Sequence, residues 1–137
     1  MSGTAAPSRP LSFLAFDFGL KRVGVASGNT LLGTARALTT ISDEGDRRFA
    51  RIEALIAEWQ PDALVVGVPF HPDGAEHDNT RRARRFARQL HGRFRLPVHE
   101  VDERYSTTEA SRDAGAGGDV DAASAAVILD QYLRNLP

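Results

Sequence analysis

Residues 11–18, LSFLAFDF, place the tightest constraint on the fold. Apolar side chains fall on both alternating faces of this segment, Leu11, Phe13 and Ala15 on one and Leu14, Phe16 and Phe18 on the other. A strand patterned in this way needs a layer of structure over each side. Asp17 interrupts the first face. An ionised carboxylate in such a lane costs on the order of several kcal/mol unless it is paired or bound to a metal. Gly19 then lets the chain turn, so Asp17 is expected near a strand end that water or a ligand can reach, either capping a turn or acting as a ligand.

The next segments set the topology. Arg22–Ala26 and Thr34–Thr40 read as two more strands, joined by turns containing Gly19 and by Gly28 and Asn29. Connections this short favour antiparallel neighbours, because a parallel crossover needs about a dozen residues. From Asp46 the period changes: Phe49, Ile52, Leu55, Ile56 and Trp59 recur at helical spacing, and Pro61 stops the helix after Gln60. DALVVGVP supplies a buried strand, FHPDGAEHDN a turn-rich loop, and Thr80 to about Phe94 a helix with Ala83, Phe86, Ala87, Leu90 and Phe94 on one face. PVHEVDER is a fifth strand. STTE follows with capping-box spacing, Ser106 to Glu109, and after a glycine-rich break at Gly115–Gly118 a last helix spans Asp121–Leu136, with Ala125, Val127, Ile128, Leu129, Tyr132 and Leu133 as its core positions.

A meander continued by right-handed strand–helix–strand crossovers gives an α/β fold with one five-stranded mixed sheet. The predicted order is 3-2-1-4-5, the first three strands antiparallel and helices flanking the sheet, which is the ribonuclease H-like arrangement. Residues 1–10, with two prolines and small polar residues, are expected to form a flexible tail ahead of a single domain over 11–137.

Composition removes several alternatives. There are no cysteines, so disulfides, thiolate zinc sites and a cysteine nucleophile are excluded, and any metal must use oxygen or imidazole ligands. No apolar run approaches membrane-spanning length and MSGTAAPSRP lacks the apolar core of a secretory signal, so the expected location is cytoplasmic, away from membranes. The formal net charge is −1, yet seven arginines fall between Arg81 and Arg95 with no acid among them. Arg81, Arg82, Arg84, Arg85 and Arg88 lie on the polar side of the second helix, either as a solvated face or as contacts to a nucleic-acid backbone. His71 and His77 sit in a loop without tight ligand spacing, which argues against zinc.

Two acids could join Asp17. Glu103 ends the fifth strand and shares a face with His99 and Val101, while Asp102 points the other way. Asp121 opens the last helix, where it either caps free N–H groups or turns toward the sheet with Asp119 as the cap. Lys21 and Arg22 follow the Asp-Phe-Gly turn and Arg104 follows Glu103. Each of these bases suits phosphate contact or a local ion pair equally.

Taken together, FDFGLKRVGVA, GTARAL, EWQPDALVVGVP, DGAEHDNTRRARRFARQL, DERYSTTEA and VDAASAAVILDQYL resemble the bacterial YqgF/RuvX family over about Ser12–Leu133. These are ribonuclease H-like proteins described as pre-16S rRNA nucleases and as Holliday-junction resolvases. The resemblance implies Asp17, Glu103 and Asp121 as catalytic, metal-binding carboxylates and leaves Asp119 a lesser role. One departure stands out: only DAGAGGD separates TTEASR from VDAAS, a loop shorter than the family's and without its lysines.

Three carboxylates at a sheet edge suit hard ions, so the expected cofactor is Mg²⁺ or Mn²⁺, as two ions holding a phosphodiester in line. Lys21, Arg22, Arg81, Arg82, Arg85 and Arg104 are the expected nucleic-acid contacts. The expected activity is hydrolysis of phosphodiesters in structured RNA, at the 5′ end of pre-16S rRNA, by a monomer or homodimer. The alternatives are resolution of branched DNA and a nucleic-acid-binding module with weak turnover. DFGLKRVGVA also resembles the phosphate loop of actin-like and sugar-kinase ATPases, which bind nucleotide between two lobes, and this length provides one.

Overall fold

β1 (Ser12–Phe18) occupies the middle of a single five-stranded sheet in this computed structural model, which describes residues 9–103 and 120–136. On one side lie β2 (Val23–Asn29) and β3 (Ala35–Ile41), and on the other β4 (Ala63–Val68) and β5 (Val98–Asp102). The order is β3-β2-β1-β4-β5. β2 runs antiparallel to β1 and β3, whereas β4 is parallel to β1 and β5. This is the arrangement that short early connections and later crossovers predict. The boundaries move slightly: Arg22 lies just ahead of β2, and the β2–β3 register slips between Val25 and Ala26.

Among the described residues three helices cover the sheet: α1 (Gly45–Trp59), α2 (Asp78–Phe94) and α3 (Val120–Arg134). α1 and α2 pack on the face of Leu14 and Phe16, where Ile52, Phe86 and Leu90 complete a core of large side chains. α3 covers the face of Phe13 and Ala15, with Ile128 and Leu129 against Val65 and Val101. Every residue of β4 is buried, as expected for a parallel strand flanked on both sides.

Local chemistry fixes the helix ends. α1 stops where Gln60 takes a left-handed conformation, φ 46°, ahead of Pro61. Trp59, expected on the apolar face, is 39% exposed because it sits in the final turn, at the rim of the core. α2 begins two residues earlier than the apolar period suggests, because His77 is its N-cap: the Nδ1 atom accepts from the Asn79 N–H at 3.1 Å. The Thr80 hydroxyl accepts from the His77 N–H and donates to the Pro69 carbonyl, which ties the helix start to the loop after β4. On α3, Val127 and Tyr132 are only partly buried, Tyr132 meeting Phe13 edge-on and stacking on His99.

Arg9, expected in the loose tail, makes two bonds to the Asp62 carboxylate, at 2.7 and 3.2 Å. Asp62 also accepts from the Ser12 N–H, which anchors the entry to β1. Among the described residues no helix is long and apolar enough to cross a membrane.

Candidate active site

Asp17 lies one residue from the end of β1, on the face covered by α3. Its register partners are Gly24 on β2 and Gly67 on β4. The carboxylate is therefore flanked on both sides by bare backbone, and two neighbours use that space.

The first is α3. A Cβ at Gly24 would lie 1.8 Å from the Asp121 carbonyl oxygen and 2.8 Å from the Ala122 nitrogen, so the first turn of the helix rests directly on β2. This close approach brings Asp121 near Asp17. The second neighbour is Glu103, immediately past β5 and two strands from β1. A Cβ at Gly67 would stand 3.1 Å from the Glu103 Cγ and 2.3 Å from the Ile128 Cδ1. Glu103 thus extends over side-chain-free backbone and hydrogen-bonds Asp17. Strand 4 offers no acid beside Asp17, and what it provides there is clearance.

Burial governs the electrostatics of the pair. Desolvation raises the Asp17 pKa, hydrogen bonds from Glu103 and Ser124 oppose the rise, and the charge of Asp121 adds to it, with a net shift upward. Glu103 is pushed up to about 9, first by burial and then by its hydrogen bond to Asp17 and the charges of Asp17 and Asp102. Both shifts run upward, which favours a proton shared by the two acids as a pair.

Asp121, in the first turn of α3, is engaged elsewhere: the Arg22 Nε lies 3.0 Å from its Oδ2. The expected meeting of three carboxylates is thus realised as a contacting pair and a third acid turned to an arginine. Among the described residues no three acidic or imidazole groups already stand close enough to hold a metal ion. Like charges repel without a cation between them, and Arg22 is the nearest compensation for Asp121. The donor chemistry still fits a hard divalent ion, because all the candidate ligands are carboxylate oxygens.

The basic residues divide. Lys21 is exposed and makes no ion pair among the described residues, whereas Arg22 has the Asp121 bridge. Arg81 pairs with Asp78 and Arg82 bonds the Asn79 Oδ1. Arg84 sits between Glu76 and Glu100 and over the Phe70 ring. The acid-free stretch of sequence is therefore partly charge-compensated in space, at Arg81 and Arg84, by residues just outside it. Arg85 and Arg88 are exposed and without an ion pair among the described residues. α2 lies on the opposite sheet face from Asp17, and its N-terminal end, with Arg81 and Arg82, is joined to the site end of β4 through the loop 69–77. Arg104, Asp119, the Ser106–Glu109 capping box and the shortened loop lie outside the described residues.

Sequence reasoning did not single out Gly24, Gly67, Ser124 or Arg48. Ser124 had a signal: it follows Asp121 by three residues and so shares its helix face. It is buried and donates to Asp17. Arg48 falls in phase with Ile52 on the inner side of α1, an unusual place for a charge. The glycines show their purpose only once the strand register is known.

The family described as "RuvX: Holliday junction resolvase" matches residues 11–135. The chain belongs to the RuvX family. A Polaromonas sp. relative named "Putative pre-16S rRNA nuclease" is 65% identical over 126 residues, covering 92% of this chain and 90% of the relative. A Burkholderia pseudomallei relative of the same name is 57% identical over 139 residues, covering 98% and 95%. Among solved structures, T. thermophilus RuvC in complex with a Holliday junction substrate superposes with a TM-score of 0.55 at 16% identity, covering 90% of this chain and 93% of that one. At that identity the likeness concerns the fold, and the RuvX chain is ribonuclease H-like.

Proposed function

We propose that this RuvX chain is a metal-dependent nuclease that hydrolyses phosphodiesters in structured RNA, with processing of the 5′ end of pre-16S rRNA as its task. The observation that carries this reading is the hydrogen-bonded Asp17–Glu103 pair, set between two glycines at a sheet edge with Asp121 seated beside it by Gly24. The names of the relatives supply the substrate class. Residues 11–137 form its single catalytic domain, acting in the cytoplasm as a monomer or homodimer.

Asp17, Glu103 and Asp121 would hold Mg²⁺ or Mn²⁺. A pair of such ions would supply an activated water and stabilise the departing 3′ oxygen. The chain's own residues prepare the site. Ser124 orients Asp17 through its hydrogen bond, Glu103 as a carboxylate would complete the ligand set with its proton passed to solvent, and Arg22, now paired with Asp121, would be available to a phosphate. Lys21 would meet a neighbouring phosphate, and Arg81, Arg82, Arg85 and Arg104 are the proposed contacts to backbone further along the substrate.

A second reading, resolution of four-way DNA junctions, is favoured by the description of the matching family. The same acids would serve it, and two symmetric cuts would require a dimer. The deciding assay compares a 5′-extended 16S precursor, a four-way DNA junction and a single strand under Mg²⁺ and Mn²⁺, with Asp17→Asn as control. Preferential cutting of the precursor, lost in Asp17→Asn, is expected. Preference for the junction transfers the assignment to the second reading, and binding without cutting in either metal leaves a nucleic-acid-binding module instead. Mg²⁺ should also raise the Tm of the wild type and not that of Asp17→Asn.

A further inference from the structure

A cleft of about 700 Å³ opens beside Asp121. One wall is the β1–β2 turn, Gly19 to Arg22, and the other is formed by Ser42 and Glu44, ahead of α1. Lys21 and Arg22 make the first wall basic and Glu44 makes the second acidic. Arg48 links the two walls: it is only 6% exposed, its Nε donates to the Asp43 carbonyl at 3.0 Å and its Nη2 to the Leu20 carbonyl at 3.0 Å. Its guanidinium lies 5.7 Å from the centre of the Phe18 ring, next in sequence to Asp17. Asp43 is itself fixed by Arg51 at 2.8 Å.

Burying a guanidinium is costly, and an apolar side chain could pack on Phe18 without that cost. What an apolar side chain cannot do is bond one carbonyl from each wall. The planar fork of arginine presents several donors in fixed relative directions, so one side chain can set the spacing of two backbone segments.

We infer that this cleft receives one strand of nucleic-acid backbone along its Lys21 wall, and that Arg48 is the positioning residue that holds the two walls at a fixed width. The acidic Glu44 wall repels phosphate and confines the strand to the basic side, and Lys21, which makes no ion pair among the described residues, meets it as a point charge. Arg48 touches no substrate and acts through the Leu20 carbonyl, one residue before Lys21. This rests on the nuclease reading above and adds to it the route of the substrate and the residue that shapes it.

The test is the salt dependence of binding to a fluorescein-labelled RNA hairpin with a single-stranded 5′ extension, using full-length Asp17→Asn chain to prevent cutting. In that background Lys21→Met should weaken binding roughly three- to tenfold and reduce the slope of log affinity against log salt by ~0.7, the share of one phosphate contact on a single strand. Glu44→Gln should tighten binding roughly twofold, since it removes a repulsion. Arg48→Met should lower affinity and slope as Lys21→Met does, and the double variant should lose no more than either single one, because both disable one contact. Arg48→Lys, which keeps the charge but not the two-carbonyl fork, should fall with Arg48→Met, and it carries the comparison if Arg48→Met fails to fold.

An Arg48 variant that loses Tm yet keeps wild-type affinity and salt slope overturns the inference while the nuclease reading stands. So does Glu44→Gln if it weakens binding. Failure of the parent chain to bind the hairpin overturns both.

Discussion

The two faces of the sheet are built on opposite principles. Under α1 and α2 the strands present Leu14, Phe16, Val23, Val25, Leu64 and Val66, and aromatic rings fill the layer, with Phe16 and Phe18 against Phe86 and Phe86 against Phe49. Under α3 the same strands present Phe13 and Val65 away from the site but Ala15, Asp17, Gly24 and Gly67 around it, and the helix comes close enough that its backbone lies on Gly24. Large side chains keep layers apart and gain burial. Small ones give up burial and let backbone elements touch, which fixes charged groups more sharply than long side chains could. The bulky face holds the fold together and the sparse face positions the acids.

The largest effect that could break this contrast is at Gly24. A methyl group there meets the Asp121 carbonyl, so Gly24→Ala must push the start of α3 away from β2. Cleavage should fall on the order of 10²-fold, as for a displacement of about 1 Å at a reacting centre, and Mg²⁺-induced stabilisation should be lost with it. Full activity in Gly24→Ala would show that close seating of the helix is not what places Asp121.

On the other face, Phe16→Ala should cost about 3–5 kcal/mol in urea unfolding, while molecules that remain folded cut at the normal rate. Loss of turnover in proportion to site disruption, beyond the unfolded fraction, would mean the two faces are not separable.

A smaller, pH-dependent effect tests the acid pair. A carboxyl whose folded-state pKa is raised contributes stability below its unfolded value that is lost as pH climbs through the folded one. For Glu103 the window runs from about 4.5 to about 9, and Asp17 shifts in the same direction. In EDTA the wild type should therefore unfold at lower urea at pH 8 than at pH 5. Glu103→Gln should narrow the difference, and an unchanged difference would remove the proton from between the two acids.

The least effect is expected where Asp62 meets Arg9. Hydrogen bonds from Arg9 and from the Ser12 N–H hold Asp62 down at about 2, so its contribution is present above about pH 3.8 and fades as pH falls toward 2. At pH 7, Arg9→Ala should leave the urea-unfolding midpoint almost unchanged, as for other exposed pairs.

Much of this was legible in the amino-acid order because the relevant periods are local. Alternation in LSFLAFDF places Asp17 opposite Phe16 and Phe18, and the same rule puts Glu103 on the Val101 face, where both are found. The strand order followed from connection lengths. The clearance at Gly24 and Gly67 was not legible, since a glycine within a strand looks the same whether it faces a void, a helix or a carboxylate. Only the register Gly24–Asp17–Gly67 gives those two positions a purpose. The ion pairs of α2 were hidden for a similar reason: Glu76 and Glu100 flank the arginine run in sequence, and helix packing brings both to Arg84.

Seating α3 on Gly24 also has a consequence in time. More than a hundred residues separate Asp17 from Asp121, and the later acid travels on the last element of the fold. Until that helix docks on β2, a chain holds at most two of the three candidate ligands, so the complete set exists only in the finished fold.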